Sequence, residues 1–282
     1  MMDLWYSEYH SEHVRFSMRV RKQLHSAKSA YQQIDVLDTY EFGRVLTLDG
    51  VVMLTQKDEF VYHEMMTHVP MAVNPDIKRI LVIGAGDGGT VTRLLKYETI
   101  KQIDVVEIDE TVVNVCRLYF PYLANNFNHS KVHLHIEDGL KYVRHVENQY
   151  DLIIVDSTDP FGPGEGLFTK EFYGNCYNAL REDGILVNQM ESPYYENDAK
   201  AMKRAFSRIA SRFPIATAYQ AHIPTYPSGH WMFGFASKTK EPCVDIEAWN
   251  ALGIETNYYT TRLHHGCFAL PKYVEDLLEE AR

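Results

Sequence analysis

Cysteine is scarce and dispersed: Cys116, Cys176, Cys243 and Cys267 form no CxxC pair. That argues against a thiolate metal cluster and agrees with a reducing compartment, leaving the four as small core residues or inert thiols. No apolar run reaches the ~18 residues a membrane span requires, and the start "MMDLWYSEYH" shows no basic segment leading into an apolar one. A soluble, cytoplasmic protein is expected. Positive charge is also short, with 28 Lys and Arg against 38 Asp and Glu and a net charge of −10. Nucleic acid phosphates and anionic membranes would be repelled, whereas a cationic small molecule would not. Repeats and low-complexity tracts are absent. The 13 histidines include His133 and His135 on one face of a strand, but no third ligand follows at a recognisable spacing, so no metal is expected.

What the chain does have is enough apolar content, 45% of 282 residues, for a large core and a small annex. Residues 1–66 read as a small antiparallel β domain, with strands in "EHVRFSMRV", "YQQIDVLDTYEF", "GRVLTLD" and "VVMLT" broken at Phe42-Gly43 and Asp49-Gly50. So little sheet leaves apolar surface to cover, and packing on its neighbour or on another subunit follows. Residues 67–282 read as an α/β domain. Its seven candidate strands, "RILVIG", "QIDVVEI", "KVHLHI", "YDLIIVD", "GILVNQ", "IATAYQ" and "HWMFGFAS", alternate with amphipathic stretches. That pattern predicts a mostly parallel sheet covered on both faces, with ligands beyond the carboxyl ends of the strands.

The first of these strands runs into "GAGDGG", where Gly84, Gly86 and Gly89 fit G-x-G-x-x-G ahead of a helix. Glu107, at the end of the next strand, is placed to bond ribose hydroxyls, so an adenosine-type ligand is expected. Asp87 narrows the choice. A carboxylate beside a pyrophosphate would cost several kcal/mol in a partly buried loop, which disfavours NAD and ATP. A sulfonium would gain there, and decarboxylated S-adenosylmethionine keeps that cation and its amine without an opposing carboxylate. Asp87 can also serve as a helix cap. Asp138 and Gly139 follow the third strand and can hold the adenine amine or simply cap a helix.

Asp156 ends the fourth strand and Asp159 follows, ahead of a Gly- and Pro-rich stretch that could close over a ligand. Grouped carboxylates lacking arginine or metal partners would have raised pKa values unless a cation neutralised them, so the guest reads as a polyamine. Tyr62, His63 and Tyr226 could line its channel or be ordinary core residues.

The ordered set "YQQI", "LTLDGVVMLTQKDEFVYHEMMTHVP", "GAGDGG", "VVEID", "EDG", "DSTDPFGPGEGLF" and "PTYPSG" resembles the spermidine synthase family of aminopropyltransferases over residues 5–237. The resemblance implies a Rossmann-like, class I methyltransferase-like fold and a homodimer or homotetramer. It also implies metal-free transfer of an aminopropyl group from decarboxylated S-adenosylmethionine to putrescine, giving spermidine and methylthioadenosine. By the same resemblance Gln32, Glu107, Asp138, Gly139 and Pro163 hold the nucleoside beside Gly84 and Gly86. Asp87 holds the aminopropyl amine; Tyr62, His63, Asp159 and Tyr226 hold the diamine; Asp156 accepts the proton. Two departures stand out, Ala85 where many members have Gly and His63 where others have Gln. Cadaverine, agmatine or spermidine remain possible acceptors, and methyl transfer is the rival activity. The resemblance does not extend to the last 45 residues.

Overall fold

The computed structural model describes residues 3–158 and 162–282. Five strands open the chain, β1 (Leu4–Ser11), β2 (Val14–Lys28), β3 (Gln33–Thr39), β4 (Arg44–Leu48) and β5 (Val51–Thr55). They pair in sequence order as an antiparallel sheet. The sheet has one strand more than the sequence pattern indicates. β1 is an edge strand in which only Glu8 is fully buried, so it lacks the apolar alternation that marks a half-buried strand. For the same reason β2 runs on to Lys28 through the polar stretch "RKQLHSAK".

From α1 (Glu59–Val73) the chain alternates: β6 (Arg79–Gly84), α2 (Gly89–Leu94), β7 (Gln102–Glu107), α3 (Glu110–Tyr119), α4 (Pro121–Ala124), β8 (Val132–Ile136), α5 (Gly139–Val143) and β9 (Tyr150–Asp156). Then come α6 (Lys170–Ala179), β10 (Leu180–Glu191), α7 (Glu196–Ala210), β11 (Ile215–His222), β12 (His230–Ser237), α8 (Ile246–Ala251), α9 (Thr261–Cys267) and α10 (Lys272–Glu279). The seven expected strands are all present, in the order β11-β12-β10-β9-β6-β7-β8. β8, β7, β6, β9 and β10 run parallel, and β12 lies antiparallel to both β10 and β11. This is the expected Rossmann-like sheet, and its order reverses between β6 and β9, the crevice where such sheets bind ligands.

One face of the first sheet carries its own small cluster around Met18, Val45 and Val52. The other shares a core with the second sheet, in which Ile34, Val36, Leu46 and Leu54 meet Met65, Val69, Ile80 and Val82. Helix α1 lies between them, buried along most of its length, polar residues included. Among these Glu64 is fully buried and accepts the backbone N–H groups of Asn257, Tyr258 and Tyr259 at 2.8, 2.8 and 2.9 Å. That bond set ties the C-terminal segment, opaque in the sequence, to the helix that carries Tyr62 and His63. We expect Glu64→Ala to strand three N–H groups and to cost about 3 kcal/mol or more in chemical denaturation, with the segment after residue 250 becoming protease-sensitive first.

Candidate active site

The site is built where β6 and β9 end side by side, with Gly84 in register with Asp156. Gly84 has φ +88, and a Cβ there would stand 2.0 Å from the Asp156 carbonyl oxygen. Only glycine allows this approach. The turn continues through Ala85, at φ +62, whose N–H donates to that same carbonyl at 2.8 Å. Asp87 and Asp156 are thereby brought to one cleft.

A cavity enclosing about 960 Å³ of empty space, partly open to solvent, is lined by Gln32, Tyr62, His63, Gly84, Gly86, Asp87, Glu107, Asp138, Gly139, Asp156 and Tyr226. Every site residue expected from the sequence is among them except Asp159 and Pro163. Asp159 lies outside the described residues, and Pro163 falls in the 3-10 turn Gly162–Phe168. Gly164 and Leu167 of that turn also line the cavity.

Gln32 comes from the first sheet and reaches across, its Nε2 donating to Asp109 at 3.1 Å. Glu107 takes the Asp109 N–H at 2.8 Å; burial, more than the nearby charges, pushes its carboxyl up to about 7. Near neutrality it can therefore donate or accept a bond to a diol. Asp138 caps α5 through the Leu140 N–H at 2.9 Å, as the cap reading expects, and also lines the cavity.

The acids at the reacting end behave differently from a simple cluster of like charges. Both oxygens of Asp156 are held, Oδ1 by the Tyr62 hydroxyl at 2.8 Å and Oδ2 by the Thr90 hydroxyl at 2.6 Å. Burial and the charge of Asp87 raise its pKa, and the bonds only moderate the rise. Asp87 is shifted the other way. Burial would raise it, but His63, whose Nε2 lies 3.4 Å from Oδ1, and the Gly89 N–H at 2.5 Å bring it below the ordinary range. The expected grouping of carboxylates without a cationic partner thus needs correction. Two acids beside one protonated imidazole need not both resist ionisation, because the cation neutralises the nearer one.

His63 also meets Glu59, Nδ1 to Oε2, at 2.6 Å. Both ring nitrogens are therefore engaged by protein carboxylates. Tyr226 donates its hydroxyl to the Met53 carbonyl at 2.5 Å, and its ring stands 6.0 Å from that of Tyr62.

A second cleft, enclosing about 630 Å³, shares Met53, Tyr62, Ser157, Thr158 and Tyr226 with the first and adds Glu8, Gln189, Glu191, Asp198 and Trp231. Glu8 accepts the Val52 N–H at 2.7 Å. Glu191 follows a bulge in the β10–β12 pairing and has φ +98, a strained conformation for a non-glycine residue. The sequence reading missed this cleft. Glu8 sits on the unrecognised edge strand and Glu191 beyond the apolar run of β10, so neither carries a periodic signal. His133 and His135 approach Asp104 at 3.6 and 3.5 Å, but among the described residues no group of three or more His, Cys, Asp or Glu is arranged to hold a metal ion.

A Rossmann-like sheet with a nucleoside-sized, acid-lined cleft at its switch point defines a methyltransferase-like group-transfer enzyme. Comparison with known proteins narrows the class. Residues 59–247 match the family profile "Spermine/spermidine synthase domain" and residues 4–56 match "Spermidine synthase tetramerisation domain". Polyamine aminopropyltransferases of Alkaliphilus oremlandii and Clostridium perfringens are each 65% identical to this chain, over 281 and 279 residues, with 99% of both chains covered. The crystal structure of a spermidine synthase in complex with the transition state analogue AdoDATO superimposes with a TM-score of 0.95 at 40% identity, covering 98% of this chain and 95% of that one. The spermidine synthase from Thermotoga maritima gives 0.94 at 39%, covering 98% and 94%. The chain belongs to the spermine/spermidine synthase family and is an aminopropyltransferase.

Ala85, in the left-handed region, carries a Cβ that glycine would not. We expect Ala85→Gly to raise stability by about 1 kcal/mol, since a left-handed L-residue costs ~1–2 kcal/mol and glycine's extra chain entropy returns part of it. The midpoint of urea unfolding checks this.

Proposed function

We propose that this enzyme transfers the aminopropyl group of decarboxylated S-adenosylmethionine to putrescine, giving spermidine and methylthioadenosine. One observation carries the reading: two aspartates at the ends of adjacent strands share a cleft with opposite shifts, Asp87 held ionised and Asp156 raised. Paired acids whose environments drive them apart are the usual mark of divided roles, one binding charge and one moving a proton. The relatives named polyamine aminopropyltransferase and the analogue-bound spermidine synthase support the same reading.

On this proposal Gln32, Gly84, Gly86, Glu107, Asp138, Gly139 and Pro163 hold the nucleoside, and Asp87 meets the donor's primary ammonium. The acceptor lies past Tyr62, Asp159 and Tyr226, with its far ammonium in the second cleft near Glu8 and Glu191. Its near nitrogen must first be unprotonated, although free amines titrate near 10. Asp156 takes that proton, directly or through the Tyr62 hydroxyl. The lone pair then bonds to the carbon next to the sulfonium, the C–S bond breaks, and its electrons return to sulfur as neutral methylthioadenosine leaves. No step requires a metal, and alignment supplies much of the acceleration. We further propose that the chain works in the cytoplasm as a homo-oligomer, a tetramer being favoured by the description of the profile on residues 4–56.

Mass spectrometry of products from decarboxylated S-adenosylmethionine offered with putrescine, cadaverine, agmatine or spermidine tests the reaction. Methylated product from S-adenosylmethionine itself, with no turnover of the decarboxylated form, would replace aminopropyl by methyl transfer. Asp156→Asn should retain donor binding and lose at least ~10²-fold in kcat. Because the ionised form of Asp156 is the acceptor and its pKa is raised, wild-type turnover should fall on acidification at a higher pH than an ordinary aspartate would dictate. Glu191→Gln should raise the KM for putrescine about tenfold while leaving the donor KM unchanged, as expected for one lost charge-assisted contact.

A further inference from the structure

Helices α1 and α2 face each other across an alternating chain of charges of which the reaction as described above uses only the last, Asp87. Glu59 and His63 stand one turn apart on α1, on the same face. Arg93, on α2, donates from Nη2 to both Glu59 oxygens at 2.9 and 3.0 Å. His63 bridges Glu59 to Asp87. Gly89, one turn before Arg93, completes the seat: a Cβ there would fall 2.1–2.3 Å from three atoms of the His63 ring. Glu59, His63 and Arg93 are 8, 2 and 8% exposed, so the order Arg, Glu, His, Asp is a buried row whose charges cancel only when the imidazole is protonated. An uncompensated charge in such a place is strongly disfavoured.

Oδ1 of Asp87 is occupied by the Gly89 N–H and the imidazole, and the residue lines the cavity. The ring nitrogens of His63 have no hydrogen-bonding capacity left for a diamine.

We propose that Glu59 and Arg93 are positioning residues that hold His63 as a cation against Asp87, and that His63 thereby serves the donor rather than the acceptor. The inference rests on the assignment of Asp87 to the donor's ammonium. It means that a row of fixed charges orients and ionises the carboxylate that selects the donor, and that the row can be weakened without touching either substrate.

The groups that face His63 are Glu59 and Tyr62 of α1, Asp87 of the glycine loop, Arg93 of α2 and Asp156 of β9, with Asp58 and Tyr226 at the small void beside it. Burial pulls the imidazole toward neutrality, but Asp87 and Glu59 outweigh it and push its pKa up to about 10. The cation is therefore present throughout the neutral range and is lost only as pH rises through that value. Without Glu59 its loss should begin at lower pH.

The test is Glu59→Gln in the full-length enzyme, with KM for decarboxylated S-adenosylmethionine and for putrescine measured from pH 7 to 9. The donor KM should rise about tenfold, increasingly toward pH 9, with the putrescine KM little changed; the unfolding midpoint should fall, because Arg93 keeps a buried charge without its partner. A rise in the putrescine KM alone, or no change in either, would overturn the proposal. Should Glu59→Gln not fold, imidazole NMR of the unaltered protein decides: His63 should stay protonated from pH 6 to 9, and a midpoint near 6.5 would refute it. The NMR result does not depend on the reaction. Failure of wild-type turnover with every amine would instead sink the assigned activity and leave the charge row standing.

Discussion

Two carboxylates are forced together because two parallel strands end side by side. Gly84 lets the loop after β6 lie against the Asp156 carbonyl, so Asp87 and Asp156 share one low-dielectric crevice. Like charges so placed repel, and the surrounding structure answers that repulsion asymmetrically. Asp87 receives a cation and a backbone N–H; Asp156 receives two hydroxyls. The asymmetry shifts the two acids in opposite directions, and on the proposed reaction one remains a fixed anion while the other exchanges a proton.

The rest of the molecule supports that arrangement. α1 is the central member, packed between the two sheets and carrying Glu59, Tyr62, His63 and Glu64 within its first two turns. Glu64 fastens the C-terminal segment, Glu59 and His63 face the charge row, and Tyr62 reaches Asp156. A helix with so many buried polar groups would be unstable alone. Here each of these four is satisfied by a different part of the fold, which makes the helix a junction that fixes their relative positions.

The first sheet belongs to the site as well as to assembly. Gln32 closes one side of the main cleft through Asp109, and Glu8 and Met53 line the second cleft. Its inner face joins the main core, so the two sheets are held at a fixed separation by apolar packing while polar side chains cross between them.

Much of this was readable from residue order. Seven strands, the glycine loop, and the acids at positions 87, 107, 138 and 156 are local signals: apolar runs set the strands, and an acid that ends a run must emerge at the sheet's carboxyl edge. Those local rules determined the fold class and brought Asp87 and Asp156, of the acids grouped in the sequence, to one cleft. They could not supply β1, whose edge position removes its apolar alternation, nor Glu191, whose direction comes from a bulge. Nor could they show that His63 is gripped at both nitrogens, because Asp87 reaches it from the glycine loop and Glu59, on its own helix, is held in turn by Arg93 of α2. The protonation of a buried group depends on every charge within a few ångströms, and only the tertiary structure decides which charges those are.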